Sequence, residues 1–470
     1  MKASDQEGRR VLALDLGSSS VRALVCDAAA RPIPGLLARQ PIQLRQTDDG
    51  AGELDADAYV AALVACLDDL QAAGALDGVE LVATSSQWHS VLAVGSDGSA
   101  VSPVLTWIDT RARPTHAPAD PAAFHERTGA WVHPLYWTAK VPWLRARLGS
   151  SAVRFVGLPD YVRGVLLGDD ATSLSMASGA GMLDLRGRCW DTEALELAGL
   201  SPDAAELPAL DDTPRALAPR WHRRWPALRQ ALWYPAVGDG AASNLGSGCS
   251  RPDAVAVTVG TSAALRVVHS SDHPPPSPTV WRYRVDADRL VSGIAFSGGG
   301  VLHAWAVQLL RLDPDAEPGI PPGTSGLLAV PLHAGSRPPG TAPPGSGLVA
   351  GLSLDTSADE FLAATMEGVA LEAERALATL EKLFGTSLDV VLGGGAVDAS
   401  PWWQRAFAAT FDRPVRIADD REVGARGAAA LALGLDLPRP VDEVRPDPED
   451  AARMAQVRTK YAALRALTRD

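Results

Sequence analysis

One acid stands alone in a run of small residues, "VGDGAASNLGSG", which extends from Val237 to Gly248. In an ordinary turn, Asp239 would bond to its own backbone, as Asp commonly does. If the backbone is instead flexible, it could bring this carboxylate against a substrate hydroxyl as a general base. Glycine at 238 and 240 would permit such an approach because it has no side chain. The pattern leaves both interpretations open.

Two glycine-started turns carry short hydroxyls between apolar segments. The first, "DLGSSS", contains Gly17, Ser18 and Ser19, and the second, "VGTS", contains Gly260 and Thr261. Consecutive backbone N–H groups in such turns can bind phosphate oxygens without a lysine. Asp15 is the only acid of the first turn, and an acid beside a phosphate needs a cation, which predicts Mg²⁺ there. The alternative is two ordinary β-hairpins in which glycine supplies a positive φ.

A third glycine run, "VVLGGGAVDAS", reads as a strand, a turn and a helix. Its N–H groups and the helix dipole would favour a nucleotide phosphate. The spacing Gly393, Gly395, Asp398 approaches a dinucleotide fingerprint, but the third glycine is missing, which argues against a Rossmann dehydrogenase. None of the four lysines follows a glycine, so a Walker A loop is excluded.

Three further motifs offer polar groups for a small substrate. "SSQWHS" places Trp88 beside His89, and a flat apolar face with hydrogen-bonding neighbours suits a sugar. The alternative is a loop histidine next to a packed tryptophan. "TWIDTRA" places Asp109 two residues before Arg111, which could equally be a surface ion pair. "TGAWVHPLYWTAKVPWL" surrounds Lys140 with aromatic residues, an unusual setting for a solvated lysine.

These motifs lie on a repeated element. "RRVLALDLGSSSVRALVC" predicts strand, turn and strand, and "AVAVTVGTSAALRVV" repeats that scheme, with Gly17 and Gly260 separated by 243 residues. Between and after the two hairpins, strands alternate with helices such as "DADAYVAALVACLDDLQAAG" and "FLAATMEGVALEAERALATLEKLFG". We therefore expect two similar α/β domains that join near Cys249–Pro252.

Composition limits the class of protein. The chain has 470 residues and a net charge of −13, so a nucleic-acid partner is not expected. Its four cysteines are widely separated, which argues against a zinc or disulfide framework. The first ten residues are polar and no run of 18 apolar residues occurs, so we expect a cytoplasmic protein with no membrane partner.

Taken together, the motifs resemble those of the FGGY carbohydrate kinases. In family order, from about residue 11 to 434, the chain contains "LALDLGSSSVRALV", "SSQWHS", "TWIDTRA", "KVPWL", "GDGAASNLGSG", "VTVGTSAALRVV", "PLHAGSRPPG", "MEGVA", "LGGGAVDASPWWQ" and "GARGAAALA". The resemblance implies an α/β fold of two actin-like (ribonuclease H-like) ATPase domains with an interdomain cleft. The domains would span residues 1–249 and 250–470. The implied reaction is ATP-dependent phosphorylation of a sugar or polyol hydroxyl.

The resemblance also implies roles for individual residues. Asp239 would be the catalytic base, and Mg²⁺ would be held by Asp15 and Asp239. The residues implied in ATP binding are Gly17, Ser18, Ser19, Gly260, Thr261, Gly299, Gly394, Gly395 and Asp398. Those implied in sugar binding are Trp88, His89, Asp109, Lys140 and Asn244.

Several sequence segments most resemble those of gluconokinases, namely "NLGSG", "VAVTVGTSAALRVV", His133–Pro134 and "SMASGAGMLDLRGRCW". They favour gluconate or a related polyol acid, with a xylulokinase-like or other polyol or cyclitol kinase as the alternative. Ser336 and Ser346 depart from the usual family loop, and Trp88 replaces a common Met. A non-catalytic sugar- or nucleotide-binding regulator on this fold would lack Asp15 or Asp239, and both are present. Dimers are common in the family, so a homodimer is compatible with the resemblance.

Overall fold

The computed structural model describes residues 9–149, 154–270, 276–340, 343–418 and 422–468. The strands within these ranges are β1 (Arg10–Leu16), β2 (Ser20–Cys26), β3 (Pro32–Pro41), β4 (Arg45–Gln46), β5 (Gly52–Leu54), β6 (Val79–Ser86), β7 (Leu92–Val94), β8 (Val104–Leu105), β9 (Arg154–Val156), β10 (Leu183–Asp184), β11 (Cys189–Trp190), β12 (Arg215–Ala216), β13 (Leu232–Trp233), β14 (Val237–Gly238), β15 (Ala254–Val259), β16 (Ala263–Ser270), β17 (Trp281–Arg284), β18 (Arg289–Phe296), β19 (Leu328–Val330), β20 (Leu348–Ala350), β21 (Asp389–Gly393), β22 (Val415–Ile417) and β23 (Glu443–Val444).

The α-helices of the same ranges are α1 (Ala56–Ala72), α2 (Pro121–Thr128), α3 (Trp137–Leu148), α4 (Leu158–Leu167), α5 (Leu174–Gly179), α6 (Thr192–Leu197), α7 (Asp239–Gly246), α8 (Gly300–Leu310), α9 (Ala358–Phe384), α10 (Gly395–Asp398), α11 (Pro401–Phe411), α12 (Val423–Leu433) and α13 (Pro448–Arg465). None of the helices in the described part of the chain is long and apolar enough to cross a membrane.

The chain forms two compact units. Unit 1 comprises Met1–Gly246, Ser270–Val291 and Glu422–Leu437, and unit 2 comprises Ser247–His269, Ser292–Arg421 and Pro438–Asp470. Each unit thus contains segments that are distant in sequence. The domain boundaries expected from the sequence, 1–249 and 250–470, remain a prediction.

The sheet of unit 1 has the order β12-β13-β6-β1-β2-β3, and β14 also pairs with β6. Strands β1 and β2 form the first predicted hairpin, and β6 runs parallel to β1. Apolar residues of these strands share a buried cluster with α1, whose Tyr59, Leu63 and Leu67 are fully buried. Helix α1 begins where the Asp55 carboxylate accepts a hydrogen bond from Ala58 N, and it ends just before Gly74, as predicted.

Helix α7 corrects our interpretation of "VGDGAASNLGSG". The stretch is neither a turn nor flexible backbone, because β14 leads directly into α7 at Asp239. Small residues allow α12 to pack closely on α7. A Cβ built on Gly246 would lie 1.8 Å from Val423 O, and one built on Gly427 would lie 1.8 Å from Ala242 O. Glycine is therefore needed here for helix contact rather than for a loop conformation.

The sheet of unit 2 contains strands in the order β18-β16-β15-β21-β22-β23. Strands β15 and β16 are antiparallel and β15 is parallel to β21, which is the arrangement of β1, β2 and β6 in unit 1. The predicted repeat of a strand–turn–strand element is thus confirmed, and so is the mixed α/β fold class. Helix α9 begins with a capping box in which Ser357 and Glu360 bond each other's backbone N–H groups.

Candidate functional site

Three parallel strands of unit 1 end side by side at one edge of the sheet. In their register Leu16 of β1 pairs with Ser86 of β6, and Ser86 pairs with Gly238 of β14. Gly17, Gln87 and Asp239 follow immediately on the three strands. At a strand spacing of about 4.8 Å, the Cα atoms of Asp15 and Asp239 lie about 12 Å apart. In α/β sheets, ligands bind beyond the carboxyl ends of parallel strands, so this edge is the candidate site.

Asp239 is the first residue of α7 and is exposed. Its Oδ1 accepts a hydrogen bond from Gly240 N at 2.8 Å. A carboxylate at a helix N-terminus interacts favourably with the helix dipole. The geometry is that of an acceptor presented to a ligand.

The residue before Asp239 is held from two sides. Gly238 N donates to Ser175 Oγ at 3.1 Å, and the backbone carbonyl of Ser175 accepts from Trp88 Nε1 at 3.0 Å. A Cβ on Gly238 would lie only 1.8 Å from Trp88 Cε2, so the indole lies directly against the glycine. The short strand that leads into Asp239 is therefore fixed by Ser175 and Trp88.

Trp88 is a packed tryptophan, which is the alternative that the sequence left open. It is only 5% exposed and packs at 4.9 Å from Tyr283 and 6.1 Å from Trp281, measured between ring centroids. The two rings meet the indole at steep angles, 59° for Tyr283 and 70° for Trp281. Contact between Trp88 and a sugar stays a prediction. In the structure, the indole packs against Gly238.

His89 is partly exposed and has a left-handed backbone, with φ +68°. Its Nδ1 lies 2.5 Å from Gly179 O, and because a carbonyl only accepts, Nδ1 carries the proton. With that tautomer, Nε2 is the ring nitrogen that can accept a hydrogen bond. Tyr136 and Tyr283 meet the imidazole edge-on, and their hydroxyls bond each other at 2.7 Å.

Lys140 and Asp109 lie in the interior. Lys140 is fully buried, and its Nζ donates to His89 O at 3.0 Å and to Thr106 O at 2.8 Å. Asp109 is also fully buried and pairs with Arg111 at 2.6 Å, so the ion pair exists but is not on the surface. Asn244 is fully buried within α7. Direct contact of these three side chains with a sugar is not evident from their burial and remains a prediction.

Asp15 lies beside the first turn and is almost buried. Its carboxylate pairs with Arg22, its cross-strand partner, and Arg22 also binds Glu422 at 2.8 Å. The other oxygen, Oδ1, faces Gly424, where a built Cβ would lie 3.9 Å away. No group of three or more His, Cys, Asp or Glu that could hold a metal occurs in the described residues. A single carboxylate nevertheless fits Mg²⁺, which keeps several waters and takes its other ligands from substrate phosphates.

The first turn presents short side chains on an anchored backbone. Gly17 O accepts from the Tyr59 hydroxyl at 2.8 Å, and Ser19 O accepts from Ile42 N at 3.0 Å. Ser18 is half-buried and Ser19 is exposed. The turn is therefore a fixed element with hydroxyls at the surface of unit 1.

In unit 2 the predicted nucleotide-binding glycines converge on the second turn. Gly300 N donates to Gly260 O at 2.6 Å, and Val301 N donates to Thr261 O at 3.2 Å. A Cβ on Gly299 would lie 2.8 Å from Gly260 O, and one on Gly394 would lie 2.6 Å from Val259 O. Gly394 also has a φ of +106°, which disfavours any other residue.

The remaining two predicted nucleotide residues lie on the short helix α10. Gly395 begins that helix and is exposed, while Asp398 ends it and is half-buried. Because Gly395 follows Gly394 directly, five of the predicted residues border the same turn: Gly260, Thr261, Gly299, Gly394 and Gly395. Four of the five are glycines, so the surface beside Thr261 is mostly backbone, the kind of surface that admits a phosphate or a nucleoside.

Sequence reasoning missed several contributors. Arg22 could have been found, because a two-strand hairpin places it opposite Asp15. Ser175, Tyr136 and Tyr283 had no such signal, since they come from segments far from the motifs they support.

Comparisons with known proteins agree with this arrangement. The model of the FGGY family of carbohydrate kinases, N-terminal domain, matches residues 10–218, and that of the C-terminal domain matches residues 255–434. A gluconokinase of Bacillus subtilis (strain 168) is 26% identical over 379 residues, 76% of this chain and 74% of its own length. A xylulose kinase of Streptomyces coelicolor is 30% identical over 458 residues, 92% of this chain and 89% of its own.

The fold comparison gives the same result. The crystal structure of gluconate kinase from Lactobacillus acidophilus has a TM-score of 0.84 and 23% identity, with 97% of this chain and 98% of that chain covered. At that identity, the likeness shows the fold. Because the two family models together cover most of the sequence, the chain belongs to the FGGY family of carbohydrate kinases.

Proposed function

We propose that this carbohydrate kinase transfers the γ-phosphoryl group of ATP to a hydroxyl of an open-chain polyol acid, with gluconate as the first candidate. The observation that carries the proposal is the exposed Asp239 carboxylate at the N-terminus of α7, next to the Trp88–His89 loop and in the strand-end row of Asp15. Such a row offers an acceptor for a hydroxyl proton and a second carboxylate nearby.

Each of the candidate residues of unit 1 would have its own role in binding the substrates or transferring the phosphoryl group. The Asp239 carboxylate accepts the proton of the attacking hydroxyl as the hydroxyl oxygen bonds to the γ-phosphorus of ATP, and the bond from that phosphorus to the β,γ-bridging oxygen breaks, so that ADP leaves. His89 Nε2 accepts a hydrogen bond from a second hydroxyl and so orients the chain of the polyol. The N–H groups and hydroxyls of Gly17, Ser18 and Ser19 hold phosphate oxygens. Asp15, together with Asp239, would hold Mg²⁺ through water, and the ion would neutralise charge on the transferring phosphoryl group.

In unit 2, the backbone surface around Gly260 and Thr261 would bind the nucleotide. A side chain at Gly299 or Gly394 would collide with the turn, so both positions need glycine. Together with Gly395, they leave room beside the turn for phosphate and adenosine. Asp398 would accept hydrogen bonds from the nucleoside. These assignments rest on the absence of side chains at the turn, and they need no lysine.

Two observations bear on the choice of substrate. Gluconokinases are among the relatives, which supports an acid. A xylulose kinase aligns over more of the chain, and the two cations closest to the loops are engaged: Arg111 pairs with Asp109 and Glu53, and Lys140 binds two carbonyls. The second candidate is therefore an uncharged ketose such as xylulose, for which no cation is needed.

The base assignment is tested with Asp239→Asn. Asparagine retains an oxygen for the hydrogen bond from Gly240 N but cannot take up a proton, so kcat should fall by about a hundredfold or more. The Kd for ATP should stay within about twofold, because Asp239 would meet Mg²⁺ only through water and asparagine keeps an oxygen for that water. Asp97→Asn, another exposed acid that accepts a backbone N–H, serves as the matched control. Near-normal turnover in Asp239→Asn would exclude the assignment.

The substrate is tested by a coupled ADP-release assay with gluconate, xylulose, ribulose, erythrulose, threonate, glycerol and cyclitols. The proposal expects the highest kcat/KM for gluconate or another sugar acid. Turnover of ketoses without any sugar acid would replace gluconate by the second candidate. If no polyol or sugar releases ADP, the non-catalytic regulator is supported instead.

A further inference from the structure

Lys140 joins two loops that are far apart in sequence. From helix α3, its Nζ donates to His89 O, just after β6, and to Thr106 O, just after β8, at 3.0 and 2.8 Å. Both loops carry residues that the sequence singles out, His89 in one and Asp109 in the other. The lysine is fully buried, so its polar end meets protein and not solvent.

The two bonds satisfy groups that would otherwise be costly. A buried carbonyl without a donor loses about 1–3 kcal/mol of stability, and an amine supplies two or more donors. Burial lowers the pKa of Lys140 to about 7, and the nearby Asp109 partly raises it. Since a neutral amine still carries two N–H bonds, both carbonyls keep their donor in either protonation state.

The hydrogen bond from Lys140 restrains the backbone of His89, which has an unfavourable conformation. A non-glycine residue with φ +68° is strained by about 1–2 kcal/mol, and such strain persists only if the surroundings hold it. Two bonds hold it here, one from the ring Nδ1 to Gly179 O at 2.5 Å and one from Lys140 to the backbone carbonyl. The first fixes the imidazole, and the second fixes the peptide that carries it.

We propose that Lys140 is a positioning residue, which acts on the sugar only through His89: it locks the left-handed backbone that aims the imidazole Nε2 at a substrate hydroxyl. This inference rests on the proposed role of His89 in sugar binding. It replaces direct contact of Lys140 with the sugar, for which a fully buried side chain with two donors engaged is poorly placed.

The kinetic test is a double-mutant cycle with Lys140→Met and His89→Ala. Lys140→Met should raise KM for the sugar by about tenfold or more, the scale of a small misplacement of a binding group, and leave KM for ATP within about twofold. In the double variant, Lys140→Met should add nothing to the effect of His89→Ala. Independent, multiplying effects would show that Lys140 acts separately from His89 and would overturn the proposal.

A matched control separates positioning from a general effect of a buried ionisable group. Glu367 is buried as well and accepts a hydrogen bond from Gly323 N at 2.7 Å, in unit 2 rather than in either loop. Glu367→Gln should leave KM for the sugar unchanged. If it raises that KM as much as Lys140→Met does, the effect is general and the proposal fails.

A readout independent of activity separates this inference from the proposed function. Long-range ¹H–¹⁵N spectra of histidine-labelled protein, with one of the nine histidines assigned through His89→Ala, should show His89 protonated on Nδ1. That signature should be lost in Lys140→Met and kept in Glu367→Gln. If Lys140→Met does not fold, Lys140→Gln takes its place: its amide nitrogen is one bond closer to the backbone than Nζ, so it should lose at least one of the two carbonyls, and the His89 signal should shift. An unchanged His89 signal overturns the positioning role, whereas a wild-type protein without sugar turnover overturns only the proposed function.

Discussion

Gly238→Ala should displace Asp239, the proposed catalytic base, from its place beside the sheet. The added Cβ would lie 1.8, 2.1 and 2.3 Å from Trp88 Cε2, Nε1 and Cζ2. Carbon atoms in contact are about 3.5 Å apart, so the two residues would have to separate by about 1.7 Å. Trp88 cannot yield easily, because its Nε1 binds Ser175 O and its ring also lies against Gly179.

The clash between the new Cβ and Trp88 should lower both stability and turnover. Overpacking of this kind typically costs 1–3 kcal/mol of the free energy of unfolding. If β14 moves instead of Trp88, Asp239 is displaced by about an ångström, and such a shift can lower kcat by about a hundredfold. We therefore expect a loss of both stability and turnover, measured by denaturant unfolding and by the coupled ADP assay.

Two variants make this prediction sharp. Gly164→Ala is the control, because a Cβ at this helical glycine would meet only Asp169 O, at 3.9 Å, so Ala there should be neutral or mildly stabilising. Trp88→Leu in the Gly238→Ala background should recover part of the stability, since the smaller side chain leaves room for the new Cβ. Wild-type stability and kcat in Gly238→Ala, or costs that simply add in the double variant, would refute the reasoning.

Two further predictions concern other parts of the chain. Gly427→Ala should destabilise unit 1 and lower kcat, because its Cβ would lie 1.8 Å from Ala242 O in the helix that begins at Asp239; an unchanged Tm would contradict the helix contact. Burial raises the pKa of Glu367 to about 7, so the folded protein binds its proton more tightly than the unfolded chain, and stability should fall as pH rises from about 4.5 to 7. Glu367→Gln should match wild type near pH 4 and exceed it at pH 8 by up to about 3 kcal/mol in denaturant unfolding; parallel pH profiles would contradict this.

The hairpins and glycine turns could be predicted because their signals are local. A buried strand, a glycine turn and a second buried strand lie within about twenty consecutive residues, and both copies fold as expected around Gly17 and Gly260. The glycines near 394 could be predicted for the same reason. In each case, the neighbours in space are also neighbours in sequence.

The helix at Asp239 could not be predicted in this way. Glycine is less favourable than alanine in a helix by about 1 kcal/mol, and "DGAASNLG" contains two. What stabilises α7 is α12, which comes almost 180 residues later and whose own Gly427 lets the backbones meet. The packing of Trp88 likewise depends on Gly179, about ninety residues away, so sequence reasoning could name the residue but not its partner.

The return of Glu422–Leu437 to unit 1 has a consequence for how the protein is made. As the chain leaves the ribosome, residues up to Gly246 emerge early, but the helix that supports α7 emerges only after most of unit 2 has been synthesised. The strand and helix that carry Asp239 therefore lack this support for most of translation, and a nascent chain that stops before Val423 should not acquire its final structure at Asp239. Phosphoryl-transfer competence should thus arise only after Leu437 has left the ribosome.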